Sequence, residues 1–144
     1  MNIFFDVDYT ILGLDYSLRP GTAETFQQLI DDGNKIHIWS GVGLRAQVVR
    51  DHKLGTFVSG VYHKPLYRME ERLEELGVPL VPDFVIDDYL EIVSTFGGVY
   101  VSPYYFGNGM DSQMERIYNI VSEFAQTGHS DDRQYRAKGT IYRR

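Results

Sequence analysis

Four carboxylates stand in two tight pairs, Asp6 with Asp8 near the amino terminus and Asp87 with Asp88 further along. Each pair follows a short apolar run, Ile3-Phe4-Phe5 in one case and Phe84-Val85-Ile86 in the other. Read as strands lying side by side, these runs bring the four acids to one place, where like charges cannot all stay ionised unless a cation joins them. The ligands are oxygens, with no cysteine in the chain and no histidine pair beside them, which favours a hard ion, magnesium ahead of calcium or zinc. An Asp-Asp pair after a strand also serves as a helix cap or turn, and for Asp87-Asp88 alone that is the better reading. Two pairs at the same end of successive elements favour the ion.

Ser40-Gly41 follows the strand-like Lys35–Trp39 and precedes a helix start. A hydroxyl and free backbone N–H groups there suit a phosphate oxygen, although taken alone the serine serves equally well as a helix cap. Lys64, just ahead of Pro65, would by itself count as a solvated surface lysine. Beside the carboxylates it supplies the positive charge that a phosphoryl group and an ionised aspartate both need.

These residues must be placed by the elements around them. Asn2–Asp6 reads as a buried strand, and Pro20-Gly21-Thr22 opens a helix with Phe26, Leu29 and Ile30 on one face, stopped at Asp32-Gly33. Lys35–Trp39 is a second strand, Gly41 to about Lys53 a helix, and Thr56–Tyr62 a third strand. Leu66, Met69, Leu73 and Leu76 recur at helical spacing after Pro65, with Gly77 as the stop. A fourth strand at 84–86, a short helix at 90–95 and a fifth strand at 99–101 follow. A last helix begins with the capping-box spacing Ser112…Glu115 and buries Met114, Ile117, Tyr118, Val121 and Phe124. The alternation predicts an α/β fold, doubly wound and Rossmann-like, with three layers and a mostly parallel five-stranded sheet. In such sheets ligands bind beyond the carboxyl ends of the strands, where Asp6, Asp8, Thr10, Ser40, Lys64, Asp87 and Asp88 all fall.

With 144 residues the chain suits one domain, read here as 1–128 with a basic tail at 129–144 as the only candidate for disorder. The formal net charge of −6 is unevenly spread: Arg133, Arg136, Lys138, Arg143 and Arg144 form a run without acids, leaving 9 bases against 20 acids in residues 1–132. A body that acidic argues against a basic nucleic-acid footprint, so nucleic acid enters only as a substrate. No apolar run approaches the roughly 18 residues of a membrane helix, and no basic start precedes an apolar stretch, so a cytoplasmic location is expected.

Phe4-Phe5-Asp6-Val7-Asp8-Tyr9-Thr10 resembles the first motif of the haloacid dehalogenase-like (HAD) hydrolase superfamily, an apolar strand ending in Asp-x-Asp-x-Thr. His37-Ile38-Trp39-Ser40-Gly41 resembles the second motif, Lys64 the third, and Phe84-Val85-Ile86-Asp87-Asp88 the fourth, all in the right order. The resemblance implies a magnesium-dependent phosphohydrolase. Asp6 would be the nucleophile, and Asp8 the general acid and base. Ser40, Gly41 and Lys64 would hold the phosphoryl oxygens, and Thr10 would orient the loop beside them. Asp6, Asp8 through its backbone carbonyl, and Asp87 would hold the magnesium, with Asp88 binding through water or orienting Lys64. The commonest first motif has glycine where this chain has Tyr9, which bears on substrate rather than on catalysis.

The 29 residues from 11 to 39 and the 23 from 41 to 63 leave no room for the inserted cap that such enzymes usually carry. Capless relatives act on macromolecules or close their sites by oligomerising around small sugar phosphates. The expected partner is therefore a phosphorylated small molecule or macromolecule end, with a homo-oligomer as one way to close the site. The Ile86-Asp87-Asp88 ending is similar to that of polynucleotide kinase-associated phosphatase domains, but the acidic body argues against extended nucleic-acid contact. The alternatives are a receiver-type phosphoacceptor domain, whose phosphorylated aspartate belongs at the end of the third strand where this chain has Val61-Tyr62, and a catalytically silent HAD-like binding protein. A metal-dependent nuclease is a further rival.

Overall fold

Ile3, Phe4 and Phe5 are all fully buried, and the two-residue alternation of a strand sends them to opposite faces of one sheet. The computed structural model describes residues 1–140. Five parallel strands run through it, β1 (Asn2–Asp6), β2 (Lys35–Ser40), β3 (Val58–His63), β4 (Phe84–Asp87) and β5 (Gly98–Tyr100), with a short antiparallel β6 (Tyr135–Arg136) at one edge. Their order is β3-β2-β1-β4-β5-β6. Four helices accompany them: α1 (Thr22–Asp31), α2 (Ala46–Asp51), α3 (Leu90–Phe96) and α4 (Gln113–Thr127).

On one face Ile3, Phe5, Ile36, Ile38, Phe84 and Ile86 pack with Phe26 and Leu29 of α1, Val48 and Val49 of α2, and Ile117, Ile120 and Val121 of α4. On the other face Phe4, Trp39 and Val85 meet Ile92, Val93 and Phe96 of α3. The result is a three-layer α/β architecture with a mixed, mostly parallel sheet, compatible with a Rossmann-like fold. Glycine is obligatory where β5 meets β4, because a Cβ on Gly98 would lie 1.8 Å from the Val85 carbonyl oxygen. No described helix is long and apolar enough to cross a membrane. Residues 11–39 hold a loop, α1 and β2, and residues 41–63 hold a loop, α2 and β3, with no inserted domain in either.

Three expectations are corrected. The sheet has six strands rather than five, because the tail supplies β6: Tyr135 pairs with Val99, and its ring packs on Phe84 and Phe124. The helix expected after Pro65 is a series of turns around one 3-10 turn at Glu70–Arg72. Arg68, in the left-handed region at φ 45°, interrupts the helical path. The helical spacing there still records burial, since Leu73 and Val78 enter the second core with Met69 and Leu76 beside them. The helix expected from Gly41 begins only at Ala46, after an exposed loop in which Gly43 has φ 116°.

The amino end of α4 also differs in detail. Ser112 makes no side-chain cap, and the Asp111 carboxylate accepts the Gln113 N–H at 3.1 Å instead. Tyr118 and Phe124 are only partly buried, at the margin of the core. The tail runs from the carboxyl end of β5, where Tyr100 N donates to Gln134 O, past its amino end at Gly98 to α3, where Gly139 N donates to Ser94 O. Arg136 and Lys138 are thereby carried away from the edge that holds Asp6 and Asp87. Arg143 and Arg144 lie outside the described residues.

Candidate functional site

Parallel pairing places the carboxyl ends of four neighbouring strands, β3, β2, β1 and β4, on one edge. β1 ends at Asp6, β2 at Ser40 and β4 at Asp87, while the pairing of β3 with β2 continues one step beyond His63, where Lys64 N donates to Ser40 O at 2.9 Å. Lys64 is thus delivered to the edge as a backbone extension of β3, and its side chain turns inward. The ammonium donates to Asp6 Oδ1 and to Asp87 Oδ2, both at 3.0 Å. All three groups are buried, Asp6 at 4%, Lys64 at 8% and Asp87 at 0% exposure.

Each carboxylate is held on its second oxygen as well. Thr10 Oγ1 donates to Asp6 Oδ2 at 3.1 Å, and Tyr89 N donates to Asp87 Oδ1 at 2.9 Å. The loop that carries Thr10 is wound on one carbonyl, Val7 O, which accepts the N–H groups of Thr10, Ile11 and Leu12. A buried arginine locks it from behind. Arg19 Nη1 donates to Thr10 O at 3.1 Å, while Nε and Nη2 form a fork on Asp111 at 2.9 and 3.0 Å. Replacing Arg19 by methionine should cost about 3 kcal/mol or more in urea unfolding, since it strands Asp111 and frees the Thr10 loop.

Asp6, Asp87 and Asp88 offer three carboxylate oxygens within 4.8 Å of one another. With Lys64 among them the ionised cluster carries two net negative charges, a deficit that a proton or a divalent cation must fill. Burial, reinforced by the Asp6 charge, holds Asp87 well above the ordinary carboxylate range against the pull of Lys64. Burial and Asp6 likewise push Asp88 up to about 6. Burial alone would lower Lys64, but the Asp87 and Asp6 charges outweigh it and lift the ammonium to about 12. The donor set fits a hard cation: it is all oxygen, and each bonded oxygen of Asp6 and Asp87 keeps capacity for a second partner.

The shift on Asp88 has a measurable consequence. Between the ordinary 3.8 and about 6, the native protein binds more protons at this group than the unfolded chain does, so its contribution to stability falls as pH rises through that window. In chelator, the stability of the wild type measured against Asp88→Asn should decline across the same window. Adding a divalent cation should abolish the decline.

Not every residue expected at this edge joins the cluster. Asp8 turns aside, and its Oδ1 accepts a hydrogen bond from Arg45 Nη2 at 3.0 Å, so its carboxylate lies outside the group that could hold a metal. Ser40 is buried and does not cap α2, whose first residue comes later; its Oγ accepts the Val42 N–H at 3.2 Å. Gly41 passes so close to Leu66 that a Cβ would lie 2.6 Å from its methyl carbon. Together Asp6, Asp8, Ser40, Gly41, Lys64 and Asp88 line a cavity of about 370 Å³, walled by Tyr9, Val42, Leu66 and Tyr89. Tyr9 has φ 65°, a left-handed conformation that costs a bulky residue about 1–2 kcal/mol.

Arg45 and Arg19 carry no motif that would single them out, and Leu66, whose spacing placed it on the apolar face of a helix, lies exposed at the cavity instead. A lone arginine five residues beyond Ser40 has the look of solvated surface, and the partner of Arg19 is 92 residues distant. Comparisons of the chain with protein-family models, with curated proteins and with solved structures find no match. The chemistry therefore rests on this geometry.

Proposed function

We propose that the chain is a magnesium-dependent phosphomonoester hydrolase of HAD type. The observation that carries the reading is the single edge at which two strand-end aspartates, Asp6 and Asp87, share Lys64, with Asp6, Lys64 and the strand-end Ser40 lining one cavity. Asp6 is the nucleophile. Lys64 and Thr10 each hold one of its oxygens, which fixes the direction of the carboxylate before substrate arrives. The Asp6 oxygen attacks phosphorus, the bond to the leaving oxygen breaks, and Asp8 gives that oxygen a proton. Asp8 then takes a proton from water, whose oxygen attacks the phosphoaspartate and frees Asp6 and phosphate. Ser40, the Gly41 backbone and Lys64 face the transferring oxygens, where charge develops. Asp6, Asp87 and Asp88, with the Asp8 carbonyl, would hold magnesium, which supplies Lewis-acid stabilisation of the phosphoryl oxygens when bound.

Asp8 stands apart from the Lys64 cluster, and this supports the division of roles. A carboxylate tied up between the lysine and a metal would be a poor proton carrier, whereas Asp8 is half-exposed at the cavity and steadied by Arg45. The receiver-type alternative fares worse, because β3 ends in Tyr62-His63 and the buried carboxylates belong to β1 and β4. Release of p-nitrophenol from its phosphate should require magnesium and stop in chelator, with partial recovery in manganese. A panel of sugar phosphates, nucleotides, phosphopeptides and phosphorylated DNA ends that yields no phosphate with magnesium would overturn the reading.

A further inference from the structure

Tyr9 holds a backbone conformation that glycine would adopt without strain, yet the surrounding fold insists on it. Its N–H donates to Leu12 O at 2.8 Å, its carbonyl accepts the Tyr104 N–H at 2.8 Å, and its ring lies 5.3 Å from that of Tyr105. The ring is thus fixed before any ligand arrives, on the wall of the cavity whose floor holds Asp6, Asp8, Ser40 and Lys64. Strain preserved at a site wall points to a role for the side chain that only this placement provides.

The remaining wall shows what the ring is for. Tyr89, Leu66 and Val42 complete it, and Val42 is 73% exposed at the mouth. The charged groups of the lining are Asp6, Asp8, Asp88 and Lys64. Among the described residues the one cation in the lining is Lys64, already shared by two carboxylates, and the neighbouring Arg45 is taken up by Asp8, so the lining offers a second phosphate or a carboxylate on the ligand no uncommitted cation. Resting on the phosphohydrolase reading, we infer that the leaving group is a planar aromatic ring without further negative charge, bound against Tyr9 as an aryl phosphomonoester. Offset or edge-on ring packing suits two tyrosines and two branched chains, and a rigid ring loses little conformational freedom on binding.

Phenylphosphonate and methylphosphonate, which share the anionic group and resist hydrolysis, isolate the ring. Their affinities for the magnesium-loaded protein should be measured by calorimetry for wild type, Tyr9→Phe, Tyr9→Gly and Tyr9→Asn. The last two remove the ring while tolerating the left-handed backbone. Wild type and Tyr9→Phe should prefer phenylphosphonate by about tenfold, and both ringless variants should lose that preference while melting no lower than wild type. A wild type without preference overturns the inference, as does a preference that survives loss of the ring. Equal weakening of both phosphonates in the ringless variants also overturns it, by making Tyr9 a loop-positioning residue. If no phosphomonoester is turned over, the hydrolase reading falls separately, and the phosphonate comparison still decides whether the ring site exists.

Discussion

Asp6→Asn should lose at least about 10³-fold in kcat/KM on any phosphomonoester the protein turns over, because it removes the proposed nucleophile while keeping its shape. The same substitution should leave the fold intact. Lys64 retains Asp87 as a partner and can still donate to the amide oxygen, while the amide N–H can donate to the Thr10 hydroxyl oxygen. With Asp6 neutral, the charge that lifts Asp87 and Asp88 disappears, so in chelator the variant should melt no lower than wild type. A variant that is inactive and also unstable would report damage to packing instead of loss of a nucleophile. Retained activity with labelled phosphate still trapped on the protein would move the nucleophile elsewhere.

Lys64→Met should have the largest effect on stability. The lysine is 8% exposed and stands between two buried carboxylates, and removing one member of such a group leaves uncompensated charge that typically costs about 3–5 kcal/mol. Against a total stability of about 5–15 kcal/mol for an ordinary domain, that loss should displace the urea midpoint visibly. The sign with pH is set by the lysine pushed up to about 12: its contribution is complete below the ordinary 10.5 and is lost only as pH rises through about 12. The deficit of the variant should therefore be undiminished on the mildly alkaline side of neutrality. Magnesium should restore part of it by supplying positive charge to Asp6, Asp87 and Asp88. The variant should also be inactive even where magnesium rescues its fold, since the phosphoryl oxygens lose their lysine.

The elements around the site divide by the range of the signal that specifies them. Ile3-Phe4-Phe5 and Phe84-Val85-Ile86 are legible as buried strands because burial on both faces leaves a continuous apolar run in the chain itself. Once strands alternate with helices, a parallel sheet follows, and with it the collection of Asp6, Ser40, Lys64 and Asp87 along one edge. The spacing after Pro65 identifies Leu73 as a core residue and misjudges the backbone that delivers it. Periodicity reports which side chains are buried, whereas a residue such as Arg68 in the left-handed region decides whether a helix can continue between them.

Asp8 and Asp6 are two residues apart and indistinguishable in type, and nothing local says that one faces Lys64 while the other pairs with Arg45. That choice belongs to the packing of the β2–α2 loop. The tail is a similar case. Its charge marks it as solvated, but Tyr135 finds the open edge of β5 and an aromatic neighbourhood at Phe84 and Phe124, contacts that exist only after the sheet has formed. Arg19 is hidden for the same reason, because its carboxylate partner stands 92 residues further along the chain. Local pattern therefore settles which residues stand at the edge of the sheet. Long-range contacts settle which way they face, because a carboxylate's direction depends on partners whose distance along the chain leaves no periodic trace.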